Sequence, residues 1–411
     1  MRVLLIHRYF WPDAPPYGHM LKKIGERLAA DGRDVTVLTS QTPYKTEFKV
    51  EKRPWNEVIN GVKVERVWTW DTGRWRSLTQ SLNAVMFSLR VFFHILPRRY
   101  DVVMISTIPQ ILGGAAVRLA CLSSGSRYIY HCMDLHPEIM LHAGLIRRGM
   151  VYGLLERIDS MTINGSEMTV ALSGDMKNTL LGRGGIRPEK IKVINNFELK
   201  DDTEAPSQRH EAFLKRKDRF RVIFAGNIGA FQGLENLMLA ARLLEKRAEI
   251  EFVFMGEGKR LAKLMEMAGP MKGRTVNFIP HQPVHVARRI IADADLGVIS
   301  LDKGVYRHAF PSKLMTYSCE GIPSLAIVEA DSELARMVAD NGLGYSVAQG
   351  DPASIANAIE NAYERREEGK MKIGQAREYI LRNFSMEGAV TRWSELFMGM
   401  DLTGENRRCI Q

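Results

Sequence analysis

Three features of the chain predict two α/β domains, each built on a doubly wound parallel sheet. Short aliphatic and β-branched runs alternate with amphipathic helical stretches almost from end to end, the pattern of repeated β-α units. One such run opens directly into a glycine-rich turn, and a later turn offers a hydroxyl and an ammonium at the start of a helix. Both are expected where ligands meet the carboxyl ends of parallel strands. The 411 residues are too many for one ordinary core and comfortable for two of about 200.

In the first half, Met1 to His7 reads as a core strand, followed by a loop through Gly18 and a helix to Gly32. Strands then fall at Val35 to Ser40 and Val62 to Trp68, with a helix over Leu78 to His94. Strand Asp101 to Ser106, helix Ile111 to Leu122 and strand Arg127 to Cys132 continue the alternation. Met168 to Leu172 and Lys190 to Ile194 complete this sheet. The break follows Asn195-Asn196-Phe197, because Glu198 to Arg219 is polar, charge-dense and free of glycine. The expected organisation is therefore a first domain over 1–198, a linker over 199–219, a second domain over 220–385 and a terminal helix over 386–411 packing back on the first domain.

The second half opens on strand Arg221 to Ala225, which runs into Gly226-Asn227-Ile228-Gly229-Ala230-Phe231-Gln232-Gly233 and a helix over Leu234 to Glu245. Glycine there lets backbone approach a phosphate, although tight turns also use it for purely steric reasons. Strand Ile250 to Met255 ends in Gly256-Glu257-Gly258. Helix Lys259 to Ala268, strand Thr275 to Ile279, helix Val284 to Ala292 and strand Leu296 to Leu301 follow. Next comes Phe310-Pro311-Ser312-Lys313, a helix to Gly321-Ile322-Pro323, and the apolar segment Ser324 to Val328. Ser312 is expected at the helix N-cap, with first-turn amides and Lys313 facing an anion.

Cys121, Cys132, Cys319 and Cys409 lie far apart without metal or disulfide spacing, so reduced cytosolic thiols and no metal site are expected. The chain starts on a core strand and carries no uncharged run of membrane-spanning length, so neither a cleavable signal nor a span is expected. Trp75 and Arg76 precede an apolar, aromatic-rich helix that ends near Arg98-Arg99-Tyr100. With a net charge of +10, this segment suits an anionic membrane surface or, equally, cover for the sheet. Nucleic acid is not expected as a partner, since the basic residues are scattered and no nucleic-acid signature occurs.

The Gly226-Asn227-Ile228-Gly229 turn, Gly256-Glu257-Gly258, Pro311-Ser312-Lys313, Gly321-Ile322-Pro323 and the order of elements resemble glycosyltransferase family 4 of the GT-B fold. His131-Cys132-Met133-Asp134-Leu135-His136-Pro137-Glu138 resembles the D-L-W-P-E segment of its bacterial surface-polysaccharide and O-antigen branch, which includes N-acetylfucosamine transferases. The resemblance implies two Rossmann-like domains facing a cleft. It further implies retaining, metal-independent transfer, without a cofactor, from a nucleoside-diphosphate sugar, a UDP-sugar by expectation, to a glycan or polyprenyl-diphosphate-linked acceptor. A cytoplasmic enzyme, peripheral on the inner face of the plasma membrane, is the corresponding expectation.

On that resemblance Gly226, Asn227, Gly229, Gln232, Gly256, Arg307, Ser312, Lys313 and Thr316 are the donor-binding candidates. Asp134, His131, His136 and His308 are the catalytic candidates, and Tyr17 and Gly18, with Trp75 and Arg76, belong to the acceptor or membrane side. The wider family has two glutamates where His308 and Thr316 stand, so Arg307, His308, Thr316 or Glu320 would replace them. A nucleotide-sugar 2-epimerase and an idle nucleotide-sugar-binding scaffold share the architecture. An NAD-dependent oxidoreductase is excluded, because His7 to Pro16 follows the first strand instead of G-x-G-x-x-G.

Overall fold

The computed structural model describes residues 1–12, 16–41, 53–70, 76–197 and 218–408. The chain divides into two units, Met1–Asn195 with Met386–Gln411, and Asn196–Ser385. Trp75, Cys409 and almost all of the expected linker lie outside the described residues.

The first unit runs β1 (Arg2–Ile6), α1 (Pro16–Ala30), β2 (Asp34–Ser40), β3 (Asn56–Ile59), β4 (Val62–Val67), α2 (Arg76–Ile95), β5 (Val102–Ser106) and α3 (Leu112–Ser124). It continues through β6 (Arg127–Cys132), α4 (Glu138–His142), α5 (Met150–Gly165), β7 (Met168–Ala171), α6 (Gly174–Gly182) and β8 (Ile191–Val193). Its sheet has the order β3-β4-β2-β1-β5-β6-β7-β8, parallel except for the β3-β4 pair at one edge. The central strands are buried along nearly their whole length, which is why they read as continuous Val, Ile and Leu runs. Sequence reading missed β3, although Asn60 and Gly61 both adopt positive φ, as the tight turn of a two-residue hairpin requires. The expected loop through Gly18 is corrected as well. Helix α1 starts at Pro16, so Tyr17 and Gly18 lie inside it and are buried.

In the second unit the elements are β9 (Phe220–Ala225), α7 (Leu234–Leu243), β10 (Ile250–Met255), α8 (Leu261–Ala268), β11 (Val276–Ile279), α9 (Val284–Ala292), β12 (Leu296–Ser300) and α10 (Lys313–Cys319). Then come β13 (Ser324–Ile327), α11 (Glu333–Asp340), β14 (Gly344–Val347), α12 (Pro352–Glu364), α13 (Arg366–Gln375) and α14 (Arg377–Phe384). Its sheet is wholly parallel in the order β11-β10-β9-β12-β13-β14. Phe220, Val222 and Phe224 of β9 and Phe252 and Phe254 of β10 form its core with Leu237 of α7 and Ile355 of α12. A last helix, α15 (Met386–Arg408), belongs to the first unit. There Trp393 is buried, Ser394 donates to Asp31 at 2.5 Å, and Met400 accepts from Arg127 at 2.7 Å.

The strand order of each sheet reverses direction between two adjacent strands, β1 and β5 in the first unit and β9 and β12 in the second. Such a reversal opens a crevice at the carboxyl ends of the strands. In the second unit its floor is made by backbone. Gly226 donates to Met255 O at 2.9 Å and Ile228 donates to Glu257 O at 2.8 Å, extending the β9-β10 pairing beyond the strands. A Cβ on Gly256 would stand 2.0 Å from the Gly226 carbonyl oxygen, at a φ of +137°. Gly256→Ala is therefore expected to cost about 3 kcal/mol of stability or more through overpacking and strain, read as a lower denaturant midpoint at unchanged m-value. An unchanged midpoint would show that the turn opens freely.

Candidate active site

Helix α10 is seated by Tyr317. Strands β9 and β12 pair at only two positions, Leu296 with Val222 and Gly297 with Ile223. Beyond them the Tyr317 hydroxyl accepts from Ala225 N at 3.0 Å and donates to Val298 O at 3.3 Å, bridging the split. The ring enters because residue 297 is glycine; a Cβ there would lie 2.5 Å from it. Lys313 stands one helical turn before Tyr317 and so projects from the same face.

The Lys313 side chain passes beside Gly226, where an added Cβ would be 3.1 Å from Cε and 3.4 Å from Nζ, and Nζ lies 4.8 Å from the centroid of the Phe224 ring. Burial pushes the ammonium down to about 8, and no carboxylate pairs with it among the described residues. A desolvated cation beside an exposed glycine turn is prepared for an anion.

The rest of the expected donor set divides. Gln232 braces the turn, its Oε1 accepting from Gly229 N at 3.1 Å, so that amide is engaged within the loop instead of facing outward. Gln232 O accepts from Ser300 Oγ. Ser300 in turn receives Gln349 Nε2 at 3.2 Å, while Gln349 also donates to Leu301 O at 2.8 Å and accepts from Asn236 Nδ2 at 3.1 Å. Sequence reading missed Gln349 and Ser300, which bring the loop after β14 under the glycine turn. Asn227 is exposed and Gly256 serves the backbone packing described above. Ser312 occupies the N-cap position with helical φ of −66° and ψ of −12° and makes no side-chain cap, which corrects the expected capping hydroxyl. Thr316 is partly buried on α10.

Arg307 and His308 end a 3-10 turn, Val305–Arg307, after β12. Arg307 Nε donates to Tyr306 Oη at 2.9 Å and Nη2 approaches Asp331 at 3.9 Å, which leaves the guanidinium well exposed. Glu320, one of the candidates to replace the family glutamates, is held by Arg288 at 2.5 Å. Glu329 was not foreseen. Its Oε1 accepts from Gly304 N at 2.6 Å, and its buried Oε2 has no partner.

The first unit gathers a second set at the ends of β1, β5 and β6. His131 Nδ1 meets Tyr17 Oη at 2.8 Å, and the His131 ring lies 4.8 Å from Trp393. His7, unforeseen as a site residue, meets Ser106 Oγ through Nδ1 at 2.5 Å and packs 4.5 Å from Tyr17. Burial holds both imidazoles down near about 3, so they are neutral at physiological pH. Thr107 follows β5 and accepts from Met133 N at 3.3 Å and Asp134 N at 3.5 Å, fixing the turn that carries Asp134. Burial raises the Asp134 carboxyl to about 6, and no cation pairs with it among the described residues.

His136 is buried and held near about 4, chiefly by desolvation. Its carbonyl accepts from Arg183 at 2.8 Å, and the same guanidinium forks onto Glu138 at 2.6 and 2.9 Å and reaches Asp159 at 2.6 Å. Glu138 is thereby a structural anchor for the motif. The side chain of Arg76 and the whole of Trp75 lie outside the described residues.

Two α/β units, each built on a largely parallel sheet with a switch point, have the GT-B architecture. Residues 17–196 match the model of the glycosyl transferase 4-like domain and residues 207–379 that of glycosyl transferases group 1. The chain belongs to glycosyltransferase family 4. Among similar proteins, the probable glycosyltransferase WbjE of Pseudomonas aeruginosa is 25% identical over 295 residues, 70% of this chain and 72% of that protein. The putative colanic acid biosynthesis glycosyl transferase WcaI of Escherichia coli K12 is 24% identical over 352 residues, 82% of this chain and 86% of that protein. Similar folds include HepE of Anabaena, solved with UDP and glucose, with a TM-score of 0.68, 14% identity and coverage of 97% and 100% of the two chains. The sucrose-phosphate synthase of Thermosynechococcus elongatus has a TM-score of 0.75, 15% identity and coverage of 98% and 99%.

Proposed function

We propose that this enzyme moves a sugar from a UDP-sugar, with retention and without a metal ion, to a glycan or polyprenyl-diphosphate-linked acceptor in surface-polysaccharide biosynthesis. The observation that carries the reading is Lys313, a partly buried ammonium set against Gly226 and Phe224 with no carboxylate partner among the described residues. Departure of a nucleoside diphosphate builds negative charge on its β-phosphate, and a preorganised cation in a dry site stabilises that charge. UDP is favoured as the leaving group because HepE, of the same fold, was solved with UDP and glucose. The polysaccharide assignment is supported by the colanic acid role given for WcaI.

Asp134, at the end of β6, is the group of the first unit suited to orient or deprotonate the acceptor hydroxyl or to hold the transferred sugar. Buried and neutral, His131 and His7 position their neighbours. A lipid-linked acceptor agrees with helix α2, on which Leu82, Val85, Leu89 and Phe93 form an exposed apolar stripe at helical spacing next to Arg90. This stripe would place the enzyme on an anionic membrane surface. Among the described residues no helix is long and apolar enough to cross a membrane.

The test is a thermal-unfolding panel of the purified protein with UDP, GDP, ADP, CMP and NAD, with and without EDTA. A ligand bound only by the native state raises the melting midpoint. Stabilisation by UDP that survives EDTA is the expected result. A flat panel, or a response to NAD alone, would overturn the reading.

A further inference from the structure

We propose that Arg8 forms an anion site in the first unit, taking a phosphate or diphosphate group at the switch point between β1 and β5. Four arginines are buried as whole residues among those described, and three of them have carboxylate partners. Arg33 pairs with Asp31 at 3.1 Å, Arg66 with Glu57, and Arg221 with Glu251 at 2.7 Å. Arg8, 5% exposed, is the exception. No carboxylate pairs with it among the described residues, and its buried Nε has no hydrogen-bond partner. Its guanidinium lies 5.3 Å from the Tyr9 ring centroid, a contact that engages the cation and supplies no hydrogen-bond acceptor to the buried Nε.

The backbone keeps this charge in place. Arg8 O accepts from Ser40 N at 3.1 Å, Ser40 Oγ at 2.6 Å and Thr39 Oγ1 at 3.1 Å, so the residue is tied to the end of β2. A cation held out of water without a counter-charge is costly, and a ligand of opposite sign offsets that cost. Its planar fork matches phosphate oxygens bidentately, which selects a phosphoryl group. The site lies directly after β1, beside the pair formed by His7 and Ser106, where this topology opens its crevice. The anion site stands on geometry alone. Its assignment to the diphosphate of the donor or of the acceptor rests on the glycosyl-transfer reading.

Inorganic pyrophosphate is the probe, titrated against thermal unfolding in the Lys313→Ala protein, where the phosphate contact of the second unit is removed. Pyrophosphate is expected to raise the midpoint of this protein. Adding Arg8→Gln should weaken the response at least tenfold, while Arg8→Lys keeps part of it. Without ligand, Arg8→Gln should melt no lower than its parent, because it loses an uncompensated charge. An equal pyrophosphate response with and without Arg8→Gln would overturn the site. So would a lowered or lost ligand-free midpoint, which marks a structural arginine, and Arg8→Lys checks the binding result independently. In steady-state assays of Arg8→Lys, a rise in KM confined to the nucleotide sugar assigns the site to the donor, and one confined to the lipid acceptor assigns it to the acceptor. Unchanged KM values for both would overturn the assignment. A wild-type protein that responds to pyrophosphate but to no nucleoside diphosphate would remove the glycosyl-transfer reading and leave the Arg8 site standing.

Discussion

Replacing Lys313 by alanine is expected to lower kcat/KM on the order of a hundredfold, the scale of losing one charged contact to the departing diphosphate. Both kcat and donor affinity should fall, since the ammonium meets the phosphate in the ground state and holds it more strongly as charge develops in the transition state. The ligand-free protein should not melt lower, because burial already disfavours this cation. The sign of the pH effect separates binding from stability. The folded-state pKa, near about 8, lies below the ordinary 10.5, so the unfolded chain holds more protons between these values. Stability of the free enzyme should therefore rise with pH across that window, whereas UDP affinity should decline above about pH 8 as the cation is lost. Lys313→Ala should flatten both trends. Near-normal transfer by the variant, or UDP affinity that ignores pH from 7 to 10, would remove Lys313 from the phosphate site.

Much of the arrangement behind this expectation was legible in the chain. Buried strands such as Ile250–Met255 announce themselves as unbroken apolar runs, and glycine punctuation marked the ends of β9, β10 and α10. Legibility ended where distant residues meet. The Tyr317 ring looks like ordinary helix-core material until β9 and β12 are seen to part beneath its hydroxyl. Gln349 is far in sequence from the turn it supports, and His7 meets Ser106 across 99 positions. Contacts of this kind follow from strand order, which alternation alone does not encode. Glu138 closes a motif with catalytic connotations, yet its carboxylate is consumed by Arg183 in a buried ion network.

The glycines show how two physical causes can leave the same letters. Gly226 faces the lysine and is exposed, as ligand approach requires. Gly256 and Gly258 are excluded from bearing a Cβ by the carbonyls of Gly226 and Ile228, at 2.0 and 2.2 Å, whether or not a ligand is present. Sterics and binding are thus joined. The close backbone seam fixes the turn, and the fixed turn leaves the space that Lys313 overlooks.

Asp134→Asn should separate binding from chemistry in the first unit. The exchange keeps shape and removes charge, so UDP should stabilise the variant as it stabilises the wild type, while sugar transfer to acceptor falls on the order of a thousandfold, within the range of lost proton transfer. In the wild type, burial raises the carboxyl to about 6 from its ordinary 3.8, so the native state keeps its proton to higher pH than the unfolded chain. The stabilisation from this group is full below about pH 3.8 and is lost as pH climbs through about 6. Asparagine should accordingly leave the protein at least as stable as the wild type at neutral pH. Wild-type kcat/KM should fall on the acid side of about pH 6, and the residual activity of the variant should lack that limb. Transfer within a few fold of wild type, or an acid limb that persists in the asparagine variant, would make Asp134 a buried structural carboxyl held by the turn on Thr107.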